Sequence, residues 1–430
     1  MKTEYLIIGN SVAGINCIEA IREIDREGVI TVVSEENILN YSRPLISYYL
    51  GGKVSLENMY LRDERFYEDN RVDLILNRRV EKISVVESVV KLSNRRKIPF
   101  QKLLLACGGK PIIPLIERLE NITEGIFTFT KLEDAKNLID YIESNKIENA
   151  IVLGAGLIGL KCVEGLVERK LRVTIIELAN RILANTFDPE ASIILESALR
   201  KQNCSIIKEN TIARVKGKGG KLREVMLKTG KLIPTNLLII AVGVKPNLDL
   251  LEDTPIKYEQ GILVDDFMQT NVRNIYAAGD AAQGKDFLLQ KKSLLPIWPV
   301  AARQGKVAGF NMAGREKKYE GLFIMNSVEL AGIPTISFGI TNPPESHNYE
   351  ILLRKNEGEN FYRKLVLRNN RIVGGIFLGK IERAGIFSGL IKNEVNVSSF
   401  KNELLSDQFG LLVLPEEYRK HLVTGEGIEV

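Results

Sequence analysis

Two stretches of the chain place small residues between a run of apolar residues and an amphipathic run. In AIVLGAGLIG (150–159), Gly154, Gly156 and Gly159 fit G-x-G-x-x-G, with Leu157 and Ile158 between the last two glycines. That spacing lets a backbone turn sharply and approach a pyrophosphate at a helix N-terminus. The next apolar run, LRVTIIE, ends at Glu177. This lies near the ~20-residue offset at which an acid accepts hydrogen bonds from an adenosine ribose. The same acid repels a 2′-phosphate, and Arg181 is the only offsetting cation nearby, so NAD(H) is expected over NADP(H). The rival reading is a turn that packs helix on strand beside an exposed acid. YLIIGNSVAG (5–14) repeats the arrangement with Gly9, Val12, Ala13 and Gly14, and Ser11 replaces the middle glycine. Alone this is a weaker fingerprint, but serine is small enough to keep the turn open, and Glu35 closes the next strand as a second ribose acid. Two bound dinucleotides are expected.

Loops of this kind need parallel sheets behind them, and both stretches read as the opening of a strand–helix–strand unit. Between them, VVESVVKLSNRRKIPFQKLLLACG alternates strands with turns, as a small antiparallel crossover would. Later, REVMLKTGKLIPTNLLIIAVG carries a hairpin and a buried strand, and NIYAAGDAA a further strand; both strands are expected to return to the first sheet. From about Lys317 hairpins dominate, and Asn369-Asn370 suits a tight turn. The expected organisation is α/β: residues 1–112 with 233–312, residues 113–232, and a mixed α+β domain from 313 to 430 that can pair copies of the chain. KGKGGK (216–221) reads as a basic site or, more simply, as a glycine-rich turn with solvated lysines. LPEEYRKHL in the tail carries no assignable chemistry.

Composition narrows the chemistry. The 430 residues are 45% hydrophobic, enough for two or three cores. No apolar run approaches the ~20 residues of a membrane helix. Tyr5–Ile8 already reads as a strand, so neither a signal segment nor a membrane span is expected, and the location expected is the cytoplasm. Four scattered cysteines (Cys17, Cys107, Cys162, Cys204) form no C-x-x-C pair, and there are only two histidines, His347 and His421. A metal centre, a disulfide framework and histidine-centred catalysis all lack material, so the chemistry must rest on a cofactor. The net charge of +5 is dispersed, which argues against nucleic acid and permits an acidic protein partner.

TNVRNIYAAGDAA (270–282) resembles the flavin-binding signature of the pyridine nucleotide-disulfide oxidoreductase superfamily. LLLACGGKPIIP and LIIAVGVKPN resemble its two crossover strands, and all the segments stand in the family's order over residues 1–312. The resemblance implies a glutathione-reductase-like fold of two Rossmann-like domains, one for FAD and one for NAD. The hairpin region resembles the C-terminal domain of rubredoxin reductases and NADH oxidases. It further implies that Val80, Ala106, Cys107, Gly108, Gly279 and Asp280 join the first loop in holding a tightly bound FAD, and that Gly243 joins the second in holding NAD.

Departures from the family decide the branch. Disulfide reductases carry redox cysteines after the first ribose acid, where this chain reads NILNYSRPLISYYLGGK. No cysteine relay exists there, which leaves a flavin-only reductase resembling those that serve rubredoxin or ferredoxins. Arg43 and Pro44 of YSRPLIS are expected to line the FAD pocket, against the alternative of a surface cation at Arg43. In many relatives a lysine after this segment pairs with a glutamate after the second glycine motif; Tyr48 and Lys161 stand here instead. Lys161 either stabilises the reduced flavin or steers the nicotinamide, or is a solvated surface lysine. Trp298, the only tryptophan, either shields the flavin ring or fills core. The acceptor expected is an acidic one-electron carrier, rubredoxin or ferredoxin-like. Oxygen as acceptor and a nucleotide-bound sensor or scaffold stay open.

Overall fold

Runs such as Leu6-Ile7-Ile8, buried on both faces, form parallel strands that helices cover. Thr3–Ile8 lies between Ile30–Val33 and Lys97–Leu105, parallel to both, and Val72–Ile75 extends the sheet beyond Ile30–Val33. Ile275–Ala277 joins the far side of Lys97–Leu105 in parallel, so this strand does return to the first sheet. Val80–Ser84, Val89–Leu92 and the start of Lys97–Leu105 form the expected antiparallel crossover. The structure, a computed structural model, describes residues 3–345, 348–410 and 413–415; both histidines and most of LPEEYRKHL lie outside them. Two compact units result. The first comprises the described residues up to Pro114, Thr128–Ser144 and Val242–Phe323.

Helix Val12–Ile24 covers this sheet with an apolar stripe that includes Ile15, Ile18 and Ile21, each burial contributing about 1.5–3 kcal/mol. Helix Trp298–Met312 packs directly on it. A Cβ at Gly305 would stand 2.1 Å from the Ala13 carbonyl oxygen and one at Gly309 2.5 Å from that of Cys17, so only glycine permits this crossing. The crossover segments Gly109–Pro111 and Val244–Pro246 pair antiparallel in the same unit.

The second unit holds Leu115–Phe127, Asn145–Ala241 and the described residues from Ile324 onward. Its first sheet has the order Ser205–Ile207, Arg172–Ile176, Asn149–Leu153, Leu238–Ile240, Ile126–Thr128. One expectation is corrected here. Leu238–Ile240 does not return to the first sheet; it pairs parallel with Ile151–Leu153. Ile212–Lys218, Lys221–Leu227 and Leu232–Pro234 form a separate antiparallel sheet, and Lys216–Lys221 is its turn, where Lys216 pairs with Glu224 and Lys221 with Glu124. From Met325 a five-stranded antiparallel sheet runs Met325–Leu330, Ile333–Gly339, Arg371–Leu378, Phe361–Arg368, Glu350–Asn356. Asn369 and Asn370 close one of its hairpins with φ of 54° and 56°, as a two-residue turn requires.

Candidate functional site

In the first unit, strand Thr3–Ile8 ends at Gly9, whose φ of 118° and 2.1 Å Cβ distance to the Ala106 carbonyl oxygen admit no side chain. Gly14 is as tight, 2.2 Å from the Gly9 carbonyl oxygen. Ser11 caps helix Val12–Ile24 without its hydroxyl bonding the helix. The first-turn N–H groups, from Val12 to Gly14, have no intrahelical carbonyl to meet and present a positive dipole end to an anion. Asp280 stands in the short turn Gly279–Ala281, which Gln304 pins by accepting the Gly279 N–H at 2.8 Å. Burial pushes the Asp280 carboxyl up, and the Arg43 guanidinium pulls it back.

Arg43 is the best-connected residue of this cradle. It pairs with Glu36, donates to the Thr130 carbonyl at 3.0 Å and lies over the Tyr41 ring, 5.5 Å from its centroid. Burial works against its charge, but Tyr41, Glu36 and Asp280 outweigh it and hold the guanidinium charged. Tyr41 in turn donates to Glu36 at 2.7 Å and accepts the Leu132 N–H at 3.0 Å. Arg43 is thus a bracket between the YSRPLIS segment, the Asp280 turn and the start of helix Leu132–Asn145, all in the first unit. Pro44 opens the exposed turn behind it, and Tyr48 lies half-buried on Ile46–Leu50. Glu35 is exposed at the strand end, and Val80 is buried in the core. Sequence reasoning singled out neither Glu36 nor Tyr41, since two adjacent acids give no hint of which one turns inward.

Two buried polar atoms of this cradle have no protein partner. They are Asn10 Nδ2, in the glycine loop, and Ser47 Oγ, four residues past Arg43. Asn10 is otherwise fixed, accepting from Tyr67 Oη at 2.9 Å and, through its carbonyl, from Asn40 Nδ2 at 3.1 Å. An unmet buried polar group costs about 1–3 kcal/mol, so these atoms fit a polar ligand along the loop. The residues present therefore suit a flavin dinucleotide, which the Val12–Gly14 amides, Asp280 and Arg43 would hold. Trp298 starts helix Trp298–Met312 and packs half-buried on the same core.

In the second unit, Gly154 takes a φ of 107°, and a Cβ at Gly159 would stand 2.1 Å from the Gly154 carbonyl oxygen. Gly156 differs, because a Cβ there would meet nothing within 4 Å. The protein itself does not require glycine at 156; a ligand lying against the Leu157–Gly159 amides would. The Glu177 carboxylate accepts the N–H groups of Ala155 at 2.6 Å and Ala179 at 2.8 Å, which fixes it beside the loop. Arg181 is turned into its own loop, donating to the carbonyls of Ala184 (2.9 Å) and Phe187 (3.4 Å).

Lys161 is not a solvated surface lysine. Its ammonium pairs with Glu164 and donates to the Glu329 carbonyl at 3.3 Å, and its side chain is 16% exposed. Glu164 also accepts the Ala331 N–H at 2.8 Å, tying the nucleotide helix Leu157–Glu168 to a hairpin of the C-terminal sheet. The spacing of three residues on one helix is the signal that could have revealed this pair. Gly243 lies in the first unit, its carbonyl accepting the Ile112 N–H at 3.0 Å.

All four cysteines are free. Cys17, Cys162 and Cys204 are buried, and Cys107 donates to the Asn247 carbonyl at 3.2 Å, its thiol pushed up to about 12 by burial. Among the described residues no group of side chains could hold a metal, and no helix is long and apolar enough to cross a membrane.

The sequence profile of the pyridine nucleotide-disulphide oxidoreductases matches residues 3–305. The chain belongs to this family. Residues 325–395 match the rubredoxin NAD+ reductase C-terminal domain. This oxidoreductase is 33% identical over 410 residues to the NADH-dependent phenylglyoxylate dehydrogenase subunit epsilon of Aromatoleum evansii, covering 94% of this chain and 95% of that one. It is 32% identical over 321 residues to an NADH oxidase of Methanocaldococcus jannaschii, covering 73% and 71%. A solved NAD-dependent persulfide reductase from A. fulgidus superposes with a TM-score of 0.84 at 24% identity, covering 93% of this oxidoreductase and 79% of that chain. The two-dinucleotide fold and the use of a flavin with NAD(H) follow from the family.

Proposed function

We propose that the protein is a cytoplasmic reductase that holds FAD tightly, prefers NADH, and exchanges electrons with an acidic one-electron carrier, a rubredoxin or ferredoxin-like protein. Electron flow can run either way through the same residues. The observation that carries the reading is the state of the thiols: three are buried, the fourth is bonded to a backbone carbonyl, and none stands on the YSRPLIS segment. Electrons therefore have no disulfide to pass through. A flavin held there would supply hydride acceptance from the nicotinamide and one-electron release.

The chain's own residues bind and orient. Val12–Gly14 and Leu157–Gly159 offer helix-start amides to the two pyrophosphates, and Arg43 with Asp280 fixes the flavin end of the first cradle. Glu35 and Glu177 take the adenosine riboses. Arg181, the cation that could offset Glu177, is spent on its own loop carbonyls, which supports NADH. In the second unit Lys161, set by Glu164, acts as a positioning residue for the nicotinamide; in the first unit Tyr48 is a positioning residue and Gly243 an NAD-binding one. Trp298 shields the flavin, and the C-terminal sheet pairs two copies of the chain.

The test is to bleach the purified yellow protein with NADH under anaerobic conditions, then mix it rapidly with rubredoxin, with a ferredoxin and with oxygen. Carrier reduction faster than reaction with oxygen is expected. Faster reoxidation by oxygen would favour the oxidase reading, to which the M. jannaschii relative lends weight. A flavin that NADH does not bleach would leave a nucleotide-bound sensor or scaffold.

A further inference from the structure

We propose that the hairpin of Ala282–Asp286 and Lys291–Ser293 is the element on which the acidic carrier protein docks. The proposal rests on the carrier reading above and gives that carrier a landing site. The hairpin is inserted between the two segments that wall the flavin cradle. Its first strand begins two residues after Asp280, and four residues separate its second strand from Trp298. Lys285 is five residues from Asp280, so their Cα atoms are at most ~18 Å apart.

Charge is concentrated here. Residues 282–306 carry Lys285, Lys291, Lys292, Arg303 and Lys306 against one acid, Asp286, a surplus of four where the whole chain has a surplus of five. Among the described residues, Lys306 alone of these cations finds a carboxylate, Glu23 at 3.3 Å. Lys285 stands directly opposite Lys292 in the strand register. Like charges so placed destabilise a sheet. Asp286 is opposite Lys291, but its carboxylate accepts the N–H groups of Leu288 and Leu289 at 2.9 and 3.0 Å instead. Lys285, Lys291 and Lys292 are therefore unpaired among the described residues. At the tip, Leu289 is 46% exposed, an apolar residue between the two strands that carry these lysines.

Lysines also guard sheet edges against unwanted pairing. That explains Lys291 and Lys292 on the outer strand, but not Lys285, whose strand pairs with Lys291–Ser293 on one side and is bridged to Leu322 at Asp286 on the other. A like-charge pair of half-buried Lys285 and exposed Lys292, with Lys285 at most ~18 Å from Asp280, fits an anionic partner that neutralises it on contact. Such a surface steers encounter and makes association salt-dependent.

The experiment uses the FAD-loaded full chain with Lys285→Glu and Lys292→Glu together. Flavin bleaching by NADH and turnover with ferricyanide should match wild type, whereas KM for an iron-sulfur ferredoxin or a rubredoxin should rise at least ~10-fold. The wild-type kcat/KM for the carrier should fall steeply with added salt, and that of the variant should not. Unchanged carrier kinetics overturn the docking site. Unchanged carrier kinetics with self-association of the variant assign the lysines to edge protection instead. If wild type reduces no carrier although NADH bleaches it, the carrier reading itself fails and takes the docking site with it.

Discussion

Gly156→Ala separates what the fold needs from what the ligand needs. Gly156 is the N-cap of helix Leu157–Glu168 with φ −77° and ψ −180°, a conformation alanine adopts freely, and its missing Cβ would meet no protein atom within 4 Å. The extra methyl removes chain entropy from the unfolded state, a gain of about 0.4–1 kcal/mol, while alanine is a poorer N-cap than glycine by a comparable amount. Stability should therefore move by less than ~1 kcal/mol. The methyl instead occupies the space through which a pyrophosphate would approach the Leu157–Gly159 amides. Pushing hydrogen-bonded oxygens outward should weaken NADH binding at least ~10-fold, equivalent to about 1.4 kcal/mol. Gly154→Ala is the control: its φ of 107° makes any side chain strained, at a cost of about 1–3 kcal/mol with or without ligand. Chemical denaturation of each variant and anaerobic titration of flavin bleaching with NADH provide the two readouts. A Gly156→Ala protein that binds NADH like wild type would refute the assignment of this loop, as would one destabilised as much as Gly154→Ala.

Lys161→Met should slow flavin reduction by NADH, and Glu164→Gln should do so in part, because it removes the carboxylate while the Glu329 carbonyl still accepts from the ammonium; unchanged reduction kinetics with unchanged NADH affinity would remove the role. Asp188 accepts from Tyr362 at 2.5 Å, Lys364 at 2.8 Å and the Ala191 N–H at 3.0 Å, all buried within the second unit, so Asp188→Ala should cost about 3–5 kcal/mol in denaturant unfolding. Lys364→Met combined with Asp188→Asn should recover much of that loss, and a double variant no better than Asp188→Ala would contradict a charge-pairing origin. The Cys107 thiol, raised to about 12, should stay protonated at pH 8 and react with iodoacetamide far more slowly than a free thiol. Because its pKa is raised on folding, its contribution to stability is intact below the ordinary thiol range and is lost as pH climbs toward 12; fast alkylation at pH 8 would show that the thiol is not shielded by its bond to Asn247.

The glycine turns and the Asn369-Asn370 turn could be read from sequence because each is a local demand. A positive φ, a missing Cβ or a fixed spacing is written in a few adjacent residues. Leu238–Ile240 was misplaced for the opposite reason: an interior strand is apolar on both faces whichever sheet it enters, and only its register with Ile151–Leu153 decides. The Arg43 bracket shows the same limit. YSRPLIS marks Arg43, but its partners Glu36 and Thr130 and the nearby Asp280 come from three different loops, and no local pattern joins them. The hairpin lysines lie between these extremes. Their excess charge is visible in the sequence, but placing Lys285 opposite Lys292 requires the strand register, and a basic stretch becomes a candidate docking surface only once those charges are known to lack partners.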